Sequence, residues 1–222
     1  SPVFVDLDTM YQGLEVVVGS KSGKIFAWHA NDGTRVQGWP VDIGSPIYST
    51  PAIADLDNNP TNGPEVVFGA GTNVYALYVN GTSFWQYTTD GPIYSTPVIA
   101  DLDPAYQGLE IVVGSTDGCV YALHKDGSLF KKYFEGNTIG PLYSSPAIAD
   151  IDGEGNLELV VGSGNLLGTK RLRIWRADGT ILAEGFTAGP VVSTPAIADL
   201  DPANNNGLEV VFGDLQGYLY AF

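Results

Sequence analysis

Pro97-Val-Ile-Ala-Asp101-Leu-Asp103, followed closely by Gly108-Leu-Glu110-Ile-Val-Val-Gly114, decides the fold, because it is one of five near-copies of a single sentence. The others read Pro2-Val-Phe-Val-Asp6-Leu-Asp8, Pro51-Ala-Ile-Ala-Asp55-Leu-Asp57, Pro146-Ala-Ile-Ala-Asp150-Ile-Asp152 and Pro195-Ala-Ile-Ala-Asp199-Leu-Asp201, and successive copies begin 49, 46, 49 and 49 residues apart. A fixed period of this length marks a solenoid or a propeller, in which each unit buries its apolar faces against its neighbours.

Each copy holds four short apolar stretches. In the third they are Thr96-Pro-Val-Ile-Ala-Asp101, Leu109-Glu-Ile-Val-Val-Gly114, Cys119-Val-Tyr-Ala-Leu123 and Ser128-Leu-Phe-Lys-Lys-Tyr133. Their shortness, their Val, Ile, Tyr and Phe content and the Gly, Asp and Asn clusters between them predict strands, and no stretch shows helical spacing. Links as short as Lys125-Asp126-Gly127 force neighbouring strands to run antiparallel, so each repeat is a four-stranded meander. Radial repetition of such meanders makes an all-β propeller, which protects short strand edges. The expectation is one domain over 1–222, with blades at about 1–48, 49–94, 95–143, 144–192 and 193–222. The fifth repeat holds three strands, which predicts either a five-bladed ring with an incomplete last blade or a fragment of a larger propeller.

Composition narrows the partners. With 25 acidic against 10 basic residues the net charge is −15, which disfavours nucleic acids and anionic membranes and favours cations. No apolar run approaches the ~18 residues that a membrane span needs, so insertion into a bilayer is not expected. The single cysteine, Cys119, lies in a predicted strand and is expected to be a buried structural thiol.

The order strand, Asp-Leu-Asp, variable loop, Gly-Leu-Glu-Val-Val-Val-Gly-Ser resembles the FG-GAP/VCBS repeats of integrin-type propellers, and Gly-x-Val-Tyr-Ala-Leu-x-x-Asp-Gly resembles the blade motif of PQQ-like propellers. The resemblance covers the whole chain and implies calcium in the loop between the first and second strands, held by a pattern close to Asp-x-Asp-x-Asp-Gly-x-x-Asp/Glu. Calcium takes six to eight oxygens, which alternating carboxylates on a tight loop can supply. The fourth repeat fits best, with Asp150, Asp152 and Glu154 alternating, Gly155 at the turn and Glu158 closing. Asp6, Asp8 and Glu15, Asp55, Asp57 and Glu65, Asp101, Asp103 and Glu110, and Asp199, Asp201 and Glu209 are the sister sets, in longer loops that lack the third carboxylate. Backbone carbonyls or Asn58, Asn59, Asn204 and Asn205 would have to substitute there. The alternative is that these side chains cap the turn through backbone N–H groups without metal.

Antiparallel topology sorts the remaining features onto two faces. The acidic loops share one face with the turns between third and fourth strands. The links that enter each inner strand emerge on the other, carrying Tyr48, Tyr94 and Tyr143 to the channel mouth. Such rings suit sugar or peptide recognition, and the alternative is that they pack between blades. Trp28 and Trp175 stand where sister repeats have Leu77 and Leu123, as core fillers. Trp39 and Trp85, on fourth strands, either pack on a neighbouring strand or form a contact surface. His29 and His124 fall where the sisters have Tyr78 and Arg176, at what reads as a variable exposed strand end. The recurrent Ser-Thr-Pro or Ser-Ser-Pro before the inner strand reads as turn chemistry, and Asn80-Gly-Thr82 as a hairpin turn more than a glycosylation acceptor.

No nucleophile elbow occurs, and five similar carboxylate clusters around a rim are not the two opposed groups that a glycosidase needs. An enzyme is not expected. The sequence therefore points to a non-catalytic extracellular or cell-surface module for binding or adhesion, stabilised by calcium, with a glycan or protein ligand at the tyrosine mouth. The alternatives are a structural propeller of a larger surface protein, or the non-catalytic part of a secreted polysaccharide-active enzyme.

Overall fold

The computed structural model describes residues 1–8, 10–134, 141–164, 170–200, 203 and 207–222, so Asp201, Asn204 and Asn205 lie outside the described residues. The strands form five antiparallel sheets, four of four strands and one of three, each in chain order. The described residues hold no helix. These sheets are the blades of a β-propeller, and the third blade runs Val98–Ala100, Glu110–Gly114, Cys119–His124 and Leu129–Phe134 from the centre outward.

The innermost strands, Val3–Val5, Ala52–Ala54, Val98–Ala100, Ala147–Ala149 and Ala196–Ala198, are three residues long, and alanine dominates them where blades converge on the axis. Every second strand starts at a glutamate: Glu15, Glu65, Glu110, Glu158 or Glu209. The core sits between blades, because the two-residue period of a strand gives alternate side chains to opposite interfaces. Val66 and Phe68 of blade two pack with Val17, Ile25 and Ala27 of blade one, whereas Val67 packs with Ile111, Val113 and Leu123 of blade three.

The same alternation identifies faces without a neighbouring blade. The second strands of blades two, three and four are buried throughout. In blade one, Val16, Phe26 and Trp28 are half-buried between buried residues, and in blade five Val211 is half-buried between Val210 and Phe212. Among the described residues no apolar cluster joins blade five to blade one. Trp175 is a core residue as expected, but Trp28 stacks on Phe26 at 5.1 Å on the open face of blade one.

The link Pro92-Ile93-Tyr94-Ser95-Thr96-Pro97 explains how blades are joined. Ile93 is buried over Gly69 of blade two, where a β-carbon would stand 2.4 Å from its Cγ2, so this position of the strand must be glycine. Ser95 clamps the next blade: its Oγ donates to the Gly114 carbonyl at 2.9 Å and accepts the Gly114 N–H at 2.8 Å. Ser49 and Ser193 repeat the clamp on Gly69 and Gly213. The next residue reaches one blade further. The Thr96 N–H donates to Ser145 Oγ at 2.9 Å, the Thr50 N–H to Thr96 Oγ1 at 3.3 Å, and the Ser1 ammonium to Thr50 Oγ1 at 3.2 Å. Ser-Thr-Pro is therefore an interblade relay around the axis, and not only turn chemistry.

A second set of ties runs along the outer rim. Trp39 Nε1 donates to the Val79 carbonyl at 2.7 Å, Trp85 Nε1 to Lys125 at 2.9 Å and the Tyr133 hydroxyl to Ala177 at 3.1 Å, each on the following blade. Both tryptophans thus pack, and do not project. Cys119 is buried, and burial raises its thiol to about 11, as a structural role requires. Asn80 Oδ1 accepts the Thr82 N–H at 3.0 Å, the same turn that Asp126 makes with Ser128.

Ser95→Ala leaves the buried Gly114 N–H and carbonyl without their partner. The expected loss is about 1–3 kcal/mol of unfolding free energy, measured by urea titration, with the slope unchanged. An unaltered midpoint contradicts the clamp.

Candidate functional site

The glutamate that opens each second strand is the centre of the acidic loop. Register places it opposite the last residue of the inner strand, as in Ala100↔Glu110, so its side chain lies under the turn that follows. Glu15, Glu65, Glu110 and Glu158 are all 0% exposed. Their Oε2 atoms accept the N–H of the residue between the two aspartates: Leu7 at 2.8 Å, Leu56 at 2.7 Å, Leu102 at 2.8 Å and Ile151 at 2.8 Å. Glu209 does the same with Leu200 at 2.8 Å. Hydrogen bonds to a charged acceptor contribute about 1.5–3 kcal/mol each, so the repeated Glu has a structural duty in every blade. The aspartates also cap: Asp8, Asp57, Asp103 and Asp152 accept backbone N–H groups two residues on.

The second carboxylate oxygen divides the loops. In blades one and three, Oε1 pairs with His29 Nδ1 at 2.9 Å and His124 Nδ1 at 3.0 Å. Each imidazole lies beneath a loop tyrosine, Tyr11 or Tyr106, at 3.7 Å between ring centroids. The histidines, expected at a variable exposed strand end, are instead a buried and a half-buried partner of these glutamates. The cause is register, since Glu15↔His29 and Glu110↔His124 are direct cross-strand neighbours.

In blades two and four the corresponding residues are Tyr78 and Arg176, and neither reaches the glutamate. Glu65 Oε1 and Glu158 Oε1 are buried with no hydrogen-bond partner in the protein, and so are Asn62 Oδ1 and Asp150 Oδ1. In the same two loops alone among the described residues, three carboxylates converge: Asp55, Asp57 and Glu65, and Asp150, Asp152 and Glu158, each set within 4.8 Å. Asp6, Asp8 and Glu15 form no such group, nor do Asp101, Asp103 and Glu110. Glu154 is exposed and stays outside the fourth cluster, while Asp199 is exposed in a loop whose Asp201 is not described. Arg176 Nη2 donates to Asp152 Oδ2 at 2.9 Å, placing a positive charge against the fourth cluster.

Orphaned buried oxygens beside converging carboxylates are what a hard divalent cation requires, and the donor set of loops two and four fits it. Burial pushes the Glu65 and Glu158 carboxyls above the usual range, reinforced by the neighbouring aspartates and opposed by the Leu56 and Ile151 amides. The second loop, expected to be weaker for want of a third carboxylate, is as well assembled as the fourth. The signal for it lay at position 78 and in Asn62.

At the opposite mouth Tyr48, Tyr94 and Tyr143 are 47%, 37% and 44% exposed. They touch one another, with ring centroids 4.9 Å and 5.4 Å apart, rather than packing between blades. Lys21 Nζ lies 5.4 Å from the Tyr48 ring, and Pro46, Tyr48, Pro92 and Tyr94 line a shallow cavity of about 180 Å³.

No family model matches the sequence and no curated protein matches it. Solved structures do resemble it in fold. BBS1N in complex with ARL6DN superposes with a TM-score of 0.65 at 14% identity, over 99% of this chain and 63% of that one. The computationally designed Ika8 protein gives 0.65 at 17% identity, over 100% and 57%. Sqt1 of Saccharomyces cerevisiae gives 0.68 at 14% identity, over 94% and 54%. The chain thus spans under two thirds of the length of these structures, and the likeness is one of propeller fold.

Because the folded Glu65 carboxyl is raised, the folded chain holds more protons than the unfolded one just above the ordinary glutamate range. Stability in chelator therefore falls as pH rises through that window. Glu65→Gln keeps an acceptor for Leu56 and removes the buried charge, so in chelator it is expected to melt higher than the natural chain at pH 7 and to lose that advantage at about pH 4. A lower melt at pH 7 contradicts the assignment.

Proposed function

We propose that the chain is a non-catalytic binding module, which engages a protein ligand at the tyrosine mouth and holds divalent cations in the acidic loops of blades two and four. The observation that carries the first part is the contiguous, exposed arc of Tyr48, Tyr94 and Tyr143. Aromatic rings with a polar tip offer large contact area at small entropic cost, and the binding energy of an interface concentrates in such anchors. The ring sits on a scaffold tied by the Ser49 and Ser95 clamps directly beside it, so little ordering opposes binding. BBS1N, a propeller of similar fold, was crystallised with the protein ARL6DN, which supports a protein ligand over a small molecule. A net charge of −15 favours a basic segment as that ligand.

The cations of this reading are calcium ions, the metal that the resemblance to FG-GAP/VCBS loops implies. Asp55, Asp57 and Glu65 with the Asn62 carbonyl, and Asp150, Asp152 and Glu158, would hold them. Their role is structural: neutralising a buried carboxylate cluster and fixing the loop face. Such sites fill where calcium is millimolar, a condition that suits a module working outside the cell.

Selection from a displayed peptide library, with a glycan array in parallel, tests the mouth. Selected basic peptides are expected to lose at least tenfold in affinity, about 1.4 kcal/mol, on Tyr94→Ala, with the melt unchanged. Peptides that bind Tyr94→Ala equally well contradict the assignment, and glycans retained only by the natural mouth replace the protein ligand with a sugar.

A further inference from the structure

We infer that His29 and His124 take, in blades one and three, the place that a divalent cation takes in blades two and four. The inference rests on the cation reading above and goes beyond it, because it divides the acidic loops into two chemical classes and names the residue that decides the class.

That residue is the one opposite the buried glutamate on the third strand. Ladder register puts His29, His124 and Arg176 directly across from Glu15, Glu110 and Glu158, and the Val66↔Leu77 pair puts Tyr78 across from Glu65. All four glutamates face the same demand. One oxygen is held by loop amides, and the other is buried beyond the reach of water, where a charge must be paired. Histidine meets the demand internally, with Nδ1 at 2.9 Å and 3.0 Å from Oε1. Tyr11 and Tyr106 then close the loop over the imidazole.

The sequence carries the arrangement as a unit. Tyr-Gln-Gly-Leu-Glu occurs at 11–15 and at 106–110, each time with histidine 14 residues after the glutamate. Where the histidine is absent the tyrosine is absent too, and the loop offers Asn62 or Asn156 instead. There Glu65 Oε1 and Glu158 Oε1 stay unpartnered at full burial, and carboxylates converge on them. Histidine and converged carboxylates thus exclude one another, blade by blade, as two solutions to one electrostatic problem.

Calorimetric titration of the intact chain with calcium chloride reads the number of sites directly. The natural chain is expected to bind two equivalents, Tyr78→Phe two, and Tyr78→His one, because the new imidazole closes the second loop. Arg176→His makes the same subtraction in blade four and serves if Tyr78→His does not fold, as judged by circular dichroism and melting. Two equivalents in a folded Tyr78→His or Arg176→His overturn the inference and leave the cation reading intact. No binding by the natural chain removes the cation reading and the inference with it.

Discussion

One interaction organises each blade: a glutamate, fully buried in the first four, whose Oε2 holds the backbone of the turn between the paired aspartates. The glutamate begins the second strand, so it fixes at once where that strand starts, how the loop leaves the inner strand, and which third-strand residue stands across from it. An acidic side chain at the root of a sheet is costly to desolvate, and that cost explains why neighbouring positions differ between blades while the glutamate does not. Histidine answers it in blades one and three, and a cluster open to a cation in blades two and four.

The two faces of the propeller are built by different devices. On the loop face, polar groups satisfy one another around buried charge. On the mouth face, the residues of the link divide the joint between them, since the isoleucine packs over glycine, the serine clamps the next strand, and the threonine bonds the next blade. The tyrosine, with the proline two residues before it, is left facing solvent. Its exposure is therefore not a failure of packing, since the neighbouring residues already account for the joint between blades. Rigidity below and exposure above are the conditions under which three rings act as one contact surface.

The strands, the meander and the propeller were legible because a repeated Pro-Ala-Ile-Ala and a repeated Val-Val-Gly show period and turn chemistry without any tertiary knowledge. The fourth acidic loop was legible for the same reason, its carboxylates being close in sequence. The second was not, because its distinction lies in Tyr78, and the placement of Tyr78 across from Glu65 follows only from the hairpin register. His29 and His124 were misjudged on the same ground: a residue near a strand end looks exposed until the partner across the ladder is identified. Ser-Thr-Pro read as a turn because its bonds reach the next blade, 46 or 49 residues away.

Anomalous diffraction from crystals grown in calcium and back-soaked with a lanthanide tests the division of the acidic loops, since it locates each ion rather than counting it. Two peaks are expected, one among Asp55, Asp57 and Glu65 and one among Asp150, Asp152 and Glu158, with none beside Glu15 or Glu110. A peak in contact with Glu15 or Glu110 while His29 and His124 keep their places, or no peak at the other two glutamates, would contradict it.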